Sequence, residues 1–220
     1  QGPHARQKIA ELVTQSRGTL IHQLKPFEGQ ADGDWFIART GYTGELGFEV
    51  WCHPSHAEQL WDAVWQEGQQ YEIAPLGFDA LDLLRIEAGL IFAQHEFSAE
   101  TNPYEAGIGF TVPMKTKEED FIGKQAMKNQ APESRHKLMG LVLEGNEAVQ
   151  HGDLVYVGRF PVGVVTSAAN SPVLQQQIAL CRLAPQYALT DTAVEVGQLD
   201  GLKKRLKAKV VNCLLLLIIV

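Results

Sequence analysis

Arg39-Thr-Gly-Tyr-Thr-Gly-Glu-Leu-Gly-Phe-Glu-Val50 sets Gly41, Gly44 and Gly47 at every third position, just before an alternating stretch, Phe48-Glu49-Val50-Trp51. Glycine reaches φ > 0 without strain and lets a flat ligand or a second backbone approach closely. Glu45 and Glu49 follow the bend. A carboxylate so placed can accept two parallel bonds from a ring that carries adjacent N–H donors. With Trp35-Phe-Ile-Ala-Arg39 in front, the run reads as a β-hairpin framing a glycine-rich turn. On spacing alone, surface glutamates on a glycine-punctuated hairpin fit equally well.

Working toward the N-terminus, Gln30-Ala-Asp-Gly-Asp34 reads as a tight loop and Leu20 to Leu24 as a short strand or turn. Ala5, Ile9, Leu12 and Val13 recur at helical spacing behind Pro3. Toward the C-terminus, Ser55-His-Ala-Glu58 has the form of a capping box for a helix to about Gly68, with Leu60, Trp61, Val64 and Trp65 on one face. A second helix is expected over about 77–89, with Phe78, Leu81, Leu84 and Ile86 apolar. There Asp79, Asp82 and Arg85 neighbour one another at spacings of three, and Arg85 is expected to pair with Asp82 or Glu87. Lys117 to Asp120 is a charged loop, followed by a short helix over 121–129.

Beyond the polar linker 131–136 the texture changes to short apolar runs separated by glycines: 138–143, 154–157, 162–166, 178–183, 192–196 and 206–211. Strands at such intervals predict a small all-β barrel or sandwich. The expected organisation is therefore an α+β region over 1–132, a β-barrel domain over 133–211 and an anomalous apolar tail over 212–220. The absence of an initial Met suggests that an upstream part is missing.

The 220 residues are 45 % apolar and 20 % charged, ordinary globular values that suffice for a sizeable core. A net charge of −7 argues against a nucleic-acid partner, which calls for a basic face. The one dense basic run, Lys203-Lys204-Arg205 with Lys207 and Lys209, reads as a solvated strand edge. Cys52, Cys181 and Cys213 form no CxxC pair, so neither a zinc site nor a disulfide framework is indicated, and a reduced cytoplasmic setting fits. His95-Glu96 has no partner at metal spacing, and His53 and His56 are expected to be exposed. The eight apolar residues of Cys213–Val220 are too few for a membrane span, which needs roughly 20.

Five segments occur together and in one order. They are Arg39–Glu45, Leu76-Gly-Phe-Asp-Ala-Leu-Asp-Leu-Leu-Arg-Ile-Glu-Ala-Gly-Leu90, Thr101-Asn-Pro-Tyr-Glu-Ala-Gly107, Asp120-Phe-Ile-Gly-Lys-Gln125 and Gly163-Val-Val-Thr-Ser-Ala-Ala-Asn-Ser-Pro172. In these the chain resembles the aminomethyltransferase family, the T-protein of glycine cleavage and its folate-binding relatives, over about residues 1–211. The resemblance implies a partial folate-binding aminomethyltransferase fold of mixed sheets and helices, followed by the barrel. The tail departs from the family pattern near Asn212.

What the resemblance implies chemically is a tetrahydrofolate-dependent transfer of a methyl or aminomethyl group from a small donor to folate. Glu49 is the position at which the family binds the pteridine ring, whose pyrimidine edge offers an N–H and an exocyclic NH₂ side by side. Tyr42 would stack on or border the ring, and Glu105 with Tyr104 would line the folate cavity. Leu81 stands where glycine-cleavage enzymes place an arginine on this helix, and leucine cannot bind a carboxylate. The departure favours the paralogous folate-dependent demethylases over aminomethyl transfer. A lipoyl-carrier partner would follow only for a true glycine-cleavage enzyme. The family's proton-accepting aspartate lies upstream of residue 1, so no catalytic residue is assigned. The alternatives are a non-enzymatic folate-binding protein, whose relatives carry a cysteine motif where this chain reads Asp120–Gln125, and an inactive truncated fragment.

Overall fold

The computed structural model describes residues 1–5, 23–32, 34–130, 134–145, 147–197 and 205–213. They fall into two compact units, Gln1–Leu84 and Arg85–Val220. Most of the helix expected from residue 4 onward, most of the 20–24 segment, the linker core 131–133 and the tail beyond 213 lie outside the described residues.

In the first unit a three-stranded antiparallel sheet runs in the order β1 (Gly29–Asp32), β2 (Trp35–Ala38), β3 (Glu49–Cys52). The segment expected as a loop over 30–34 is thus mostly strand. Asp32 pairs with Trp35, so β1 turns directly into β2. Because side chains alternate across a strand, Ile37 and Val50, which are cross-strand partners, face one way and pack with Leu24 and Phe48. Phe36, Glu49 and Trp51 face the other way.

Helix α1 (Ala57–Gly68) follows β3 through a one-turn 3₁₀ segment, Pro54–His56. That turn displaces the expected capping box. The cap is His53, whose Nδ1 accepts from the Ser55 amide at 3.3 Å, and no side chain caps α1 itself. Pro54 suits the first position of such a turn because its missing N–H is not needed there. His56, expected to be exposed, is half-buried and stacks on Trp35 with ring centroids 6.4 Å apart. Of the apolar face of α1, Trp61 stands 65 % exposed and stacks on Trp65.

Helix α2 (Phe78–Glu87) lies close to the expected limits. Ile86 is buried, whereas Phe78 at the first turn is exposed. Helix α3 (Lys124–Gln130) starts later than expected, because Gly123 takes φ +92°. Lys124 Nζ then donates to the carbonyls of Lys117, Glu118 and Glu119 at 2.9–3.1 Å, which pins the charged loop.

All six apolar runs after the linker are strands: β4 (Lys137–Leu143), β5 (Leu154–Val157), β6 (Phe160–Ser171), β7 (Gln176–Leu183), β8 (Ala193–Gly197) and β9 (Leu206–Val211). They close into an antiparallel barrel in the order β4-β7-β6-β5-β8-β9. Met139, Leu141, Leu143, Ala179, Cys181 and Leu183 fill the interior with the apolar residues of the other strands. Leu138, Ile178 and Leu180, on the outer side of β4 and β7, pack with Ile86 in a second cluster. Strands β4 and β7 are therefore covered on both faces, which is why they read as unbroken apolar runs. Strand β9, with Lys207 and Lys209 exposed between buried Leu206, Ala208 and Val210, alternates as a half-buried strand should. A bulge between Val165 and Ser167 lets the long β6 curve around the barrel. Among the described residues no helix is long and apolar enough to cross a membrane.

Candidate functional site

Each unit carries part of the predicted site. In the first, Glu49 opens β3 opposite Ala38 and is exposed. Its Oε2 accepts from the Thr40 hydroxyl, at the other end of the glycine-rich turn. This bond closes the turn at its base and orients the carboxylate; the sequence reading missed it, since a Thr–Glu pair nine residues apart has no spacing signature.

The turn itself is held from inside. Thr43 is buried, receives the Glu45 amide at 3.3 Å and donates to Gln1 Oε1 at 3.1 Å. A Cβ on Gly41 or Gly47 would run into the Gln1 side chain. The space that these glycines leave is taken by a carboxamide of the chain itself. Gly44 takes φ +77°, the conformation that the turn requires. Tyr42 is half-buried and Glu45 exposed.

In the second unit Tyr104 and Glu105 are adjacent in sequence but part company. Tyr104, half-buried, lines an apolar cavity of about 580 Å³ together with Leu90, Ile91, Phe110, Lys137 and Leu189. Glu105 is buried and lines a separate, more polar cavity with Thr101, Asn102 and Arg135. Its Oε1 accepts the Arg135 amide at 2.8 Å, so this carboxylate fastens the segment leading into the barrel. Asn102 Oδ1 accepts the amides of both 104 and 105 and fixes the loop. Phe110, 82 % exposed at the rim of the apolar cavity, was not anticipated. An aromatic left in water looks like any core phenylalanine in a sequence.

Arg85 has a partner that the sequence reading did not name. It forms an ion pair with Glu96 at 2.8 Å, and Ser167 joins both partners at 2.8 and 2.6 Å. His95 and His151 both turn Nδ1 toward the Thr166 carbonyl, at 3.2 and 2.7 Å. Among the described residues no group of three or more His, Cys, Asp or Glu side chains is placed to hold a metal ion. Burial pushes the Cys213 thiol, which also lines the apolar cavity, from 9.0 up to about 12, and raises Cys181 well above its ordinary value. Both are protonated at neutral pH, so neither supplies the thiolate that nucleophilic chemistry needs.

Residues 1–116 match the GCVT N-terminal domain family, and residues 136–215 match the glycine cleavage T-protein C-terminal barrel domain. The chain is 45 % identical over 227 aligned residues to the trimethylamine-oxide aldolase of Ruegeria pomeroyi, covering 96 % of this chain and 28 % of that protein. It is 41 % identical over 197 residues to the aminomethyltransferase of Pseudomonas syringae pv. tomato, covering 89 % of this chain and 53 % of the relative. The crystal structure of the glycine cleavage system aminomethyltransferase T from Bartonella henselae superposes with a TM-score of 0.82 at 25 % identity, over 97 % of this chain and 57 % of that one. The chain thus spans about half the length of the aminomethyltransferases, and less of the aldolase. By both of its matched regions, the chain belongs to the glycine cleavage T-protein family.

Proposed function

We propose that this chain is the folate-binding and barrel portion of a tetrahydrofolate-dependent one-carbon transferase, with a junction between the two regions near residue 133. The observation that carries the reading is Glu49. It is an exposed carboxylate at the start of β3, aimed by the Thr40 hydroxyl and bordered by a glycine-rich turn, in a chain of this family. Its Oε1 and Oε2 can together accept the paired N–H donors of a pterin edge, a charge-assisted geometry that is stronger than two neutral bonds. Tyr42 borders the same turn. Tyr104 and Phe110 offer apolar and aromatic surface in the second unit, while Glu105 serves the fold.

Folate supplies a nucleophilic nitrogen that accepts the one-carbon unit. The protein's part is positioning, which for well-oriented reactants contributes on the order of 7–11 kcal/mol at best. We assign the donor to small methylated amines or related sulfonium and ether compounds. Two observations support this over aminomethyl transfer. Leu81 offers no guanidinium on α2, and one relative at 45 % identity is a trimethylamine-oxide aldolase. On this reading no lipoyl-carrier protein is needed. The cysteine usage is in keeping with a reducing cytoplasm.

Equilibrium binding of labelled tetrahydrofolate to the full-length gene product tests the reading. Saturable binding that Glu49→Ala weakens is expected; an intact protein that shows no saturable binding overturns it. Aminomethyl transfer by the wild-type protein, or its recovery through Leu81→Arg alone, would overturn the assignment of the donor.

A further inference from the structure

The face of the three-stranded sheet that bears Glu49 carries two large aromatics that stay outside the core cluster of Leu24, Ile37 and Phe48 and remain substantially exposed. Phe36 is 43 % and Trp51 62 % exposed. They are cross-strand partners on β2 and β3, one pleat along from the Ala38–Glu49 pair. Residues i and i+2 of a strand share a face and lie about 7 Å apart. Glu49 and Trp51 are so related, as are Phe36 and Ala38. The contrast with the opposite face is plain: Ile37 and Phe48 are buried there, and Val50 packs against them. One face of this hairpin is satisfied by its own core, whereas the other leaves a tryptophan and a phenylalanine beside a carboxylate.

We infer that Phe36 and Trp51 form an aromatic wall against which the flat ring held by Glu49 packs. This rests on the reading of Glu49 as the pterin ligand and adds a second class of contact to it. Ala38 is buried and small, so the floor between wall and carboxylate is low. The Phe36 ring leans over Gly29, where a side chain would displace it. Gly29, Ala31, Phe36, Ala38, Glu49 and Trp51 contribute a single charge, and it is negative. Such a surface repels phosphates and carboxylates and suits a ring that presents N–H donors at one edge and π surface beside it. Offset or edge-to-face contact with indole then restrains the ring's tilt, which a carboxylate alone does not fix.

The test uses tetrahydrofolate and the full-length protein, with variants Glu49→Ala, Trp51→Ala and Trp51→Phe. Trp51→Ala is expected to weaken binding about 5-fold or more, and Trp51→Phe to keep near wild-type affinity while losing the ligand-induced quench of tryptophan emission. Thermal melts of the free variants should match the wild type, since an exposed side chain contributes little to folding. If Trp51→Ala binds like wild type while Glu49→Ala does not, the wall is refuted and the Glu49 reading stands. Unchanged binding in both variants removes the two together. A quench that persists undiminished in Trp51→Phe, or Trp51 emission that shifts with protein concentration in the absence of ligand, also overturns the proposal. The latter would mark the face as a contact between copies of the chain.

Discussion

Arg85 Nη1 lies 2.8 Å from Glu96 Oε2, and the two side chains keep only 1 % and 0 % of their exposure. Every oxygen of that carboxylate is used, since Oε1 accepts from Ser167 and Oε2 also accepts the Phe92 amide at 2.9 Å. A charge taken so far out of water is tolerated only when paired and fully hydrogen-bonded. The pair ties the end of α2, the loop around residue 92 and the bulge of β6 into one assembly.

Removing one partner should therefore cost more than removing both. Arg85→Met or Glu96→Leu alone is expected to lose about 3–5 kcal/mol, while the double variant should recover most of that loss. Urea unfolding of the four proteins gives the coupling directly. Additive single losses would mean that the two charges do not depend on one another.

The Glu49 carboxylate is exposed, so its substitution should leave stability nearly unchanged and act on ligand alone. Glu49→Gln is expected to weaken tetrahydrofolate binding by about 1.5–3 kcal/mol, the scale of hydrogen bonds to a charged group. Thr40→Val should lose about 1 kcal/mol of binding by releasing the carboxylate, and Thr40→Ser should restore it. Titration calorimetry on the three variants decides. A Thr40→Val protein that binds like wild type would show that the hydroxyl does not orient Glu49.

Thr166 sits in the β6 bulge with its hydroxyl oxygen buried and without a hydrogen-bond partner among the described residues. Its carbonyl, by contrast, is shared by two imidazoles. Thr166→Val exchanges an unsatisfied polar atom for a methyl of the same shape. It should stabilise the protein by up to about 1 kcal/mol, the desolvation cost of that oxygen. A fall in the denaturation midpoint would show that the hydroxyl has a partner in solution.

Cys213 links stability to alkaline pH. Its thiol is raised by burial from 9.0 to about 12, so the native state keeps its proton where the unfolded chain releases it. The stabilisation is complete below pH 9 and is lost as pH rises toward 12, at about 1.4 kcal/mol per unit for this thiol. Cys181, raised in the same direction, adds to the slope. Stability measured at pH 8, 9 and 10 should fall above 9, and Cys213→Ala should flatten the fall. Equal slopes in the two proteins would place the thiol in water.

Local signals made much of this molecule legible. The glycine-rich hairpin was readable because glycine spacing and period-two alternation are properties of adjacent residues. The six barrel strands were readable because each is a short apolar run bounded by turn residues. The capping box failed for a local reason, since Pro54 starts a 3₁₀ turn one step early and hands the cap to His53. Residues 30–32, Gln-Ala-Asp, read as loop because Ala and Asp have weak strand preference; pairing with Trp35–Ala38 overrides it.

Sequence alone thus fixed family membership, the order of elements and the placing of Glu49 behind the bend, all of which depend on neighbours within a few positions. Tertiary structure decided what rests on distant partners. It chose the strand order within the barrel, the pairing of Arg85 with Glu96, the parting of Tyr104 from Glu105, and the face on which Phe36 and Trp51 meet water. Those outcomes follow from burial and strand register, which bring together residues that no spacing along the chain relates.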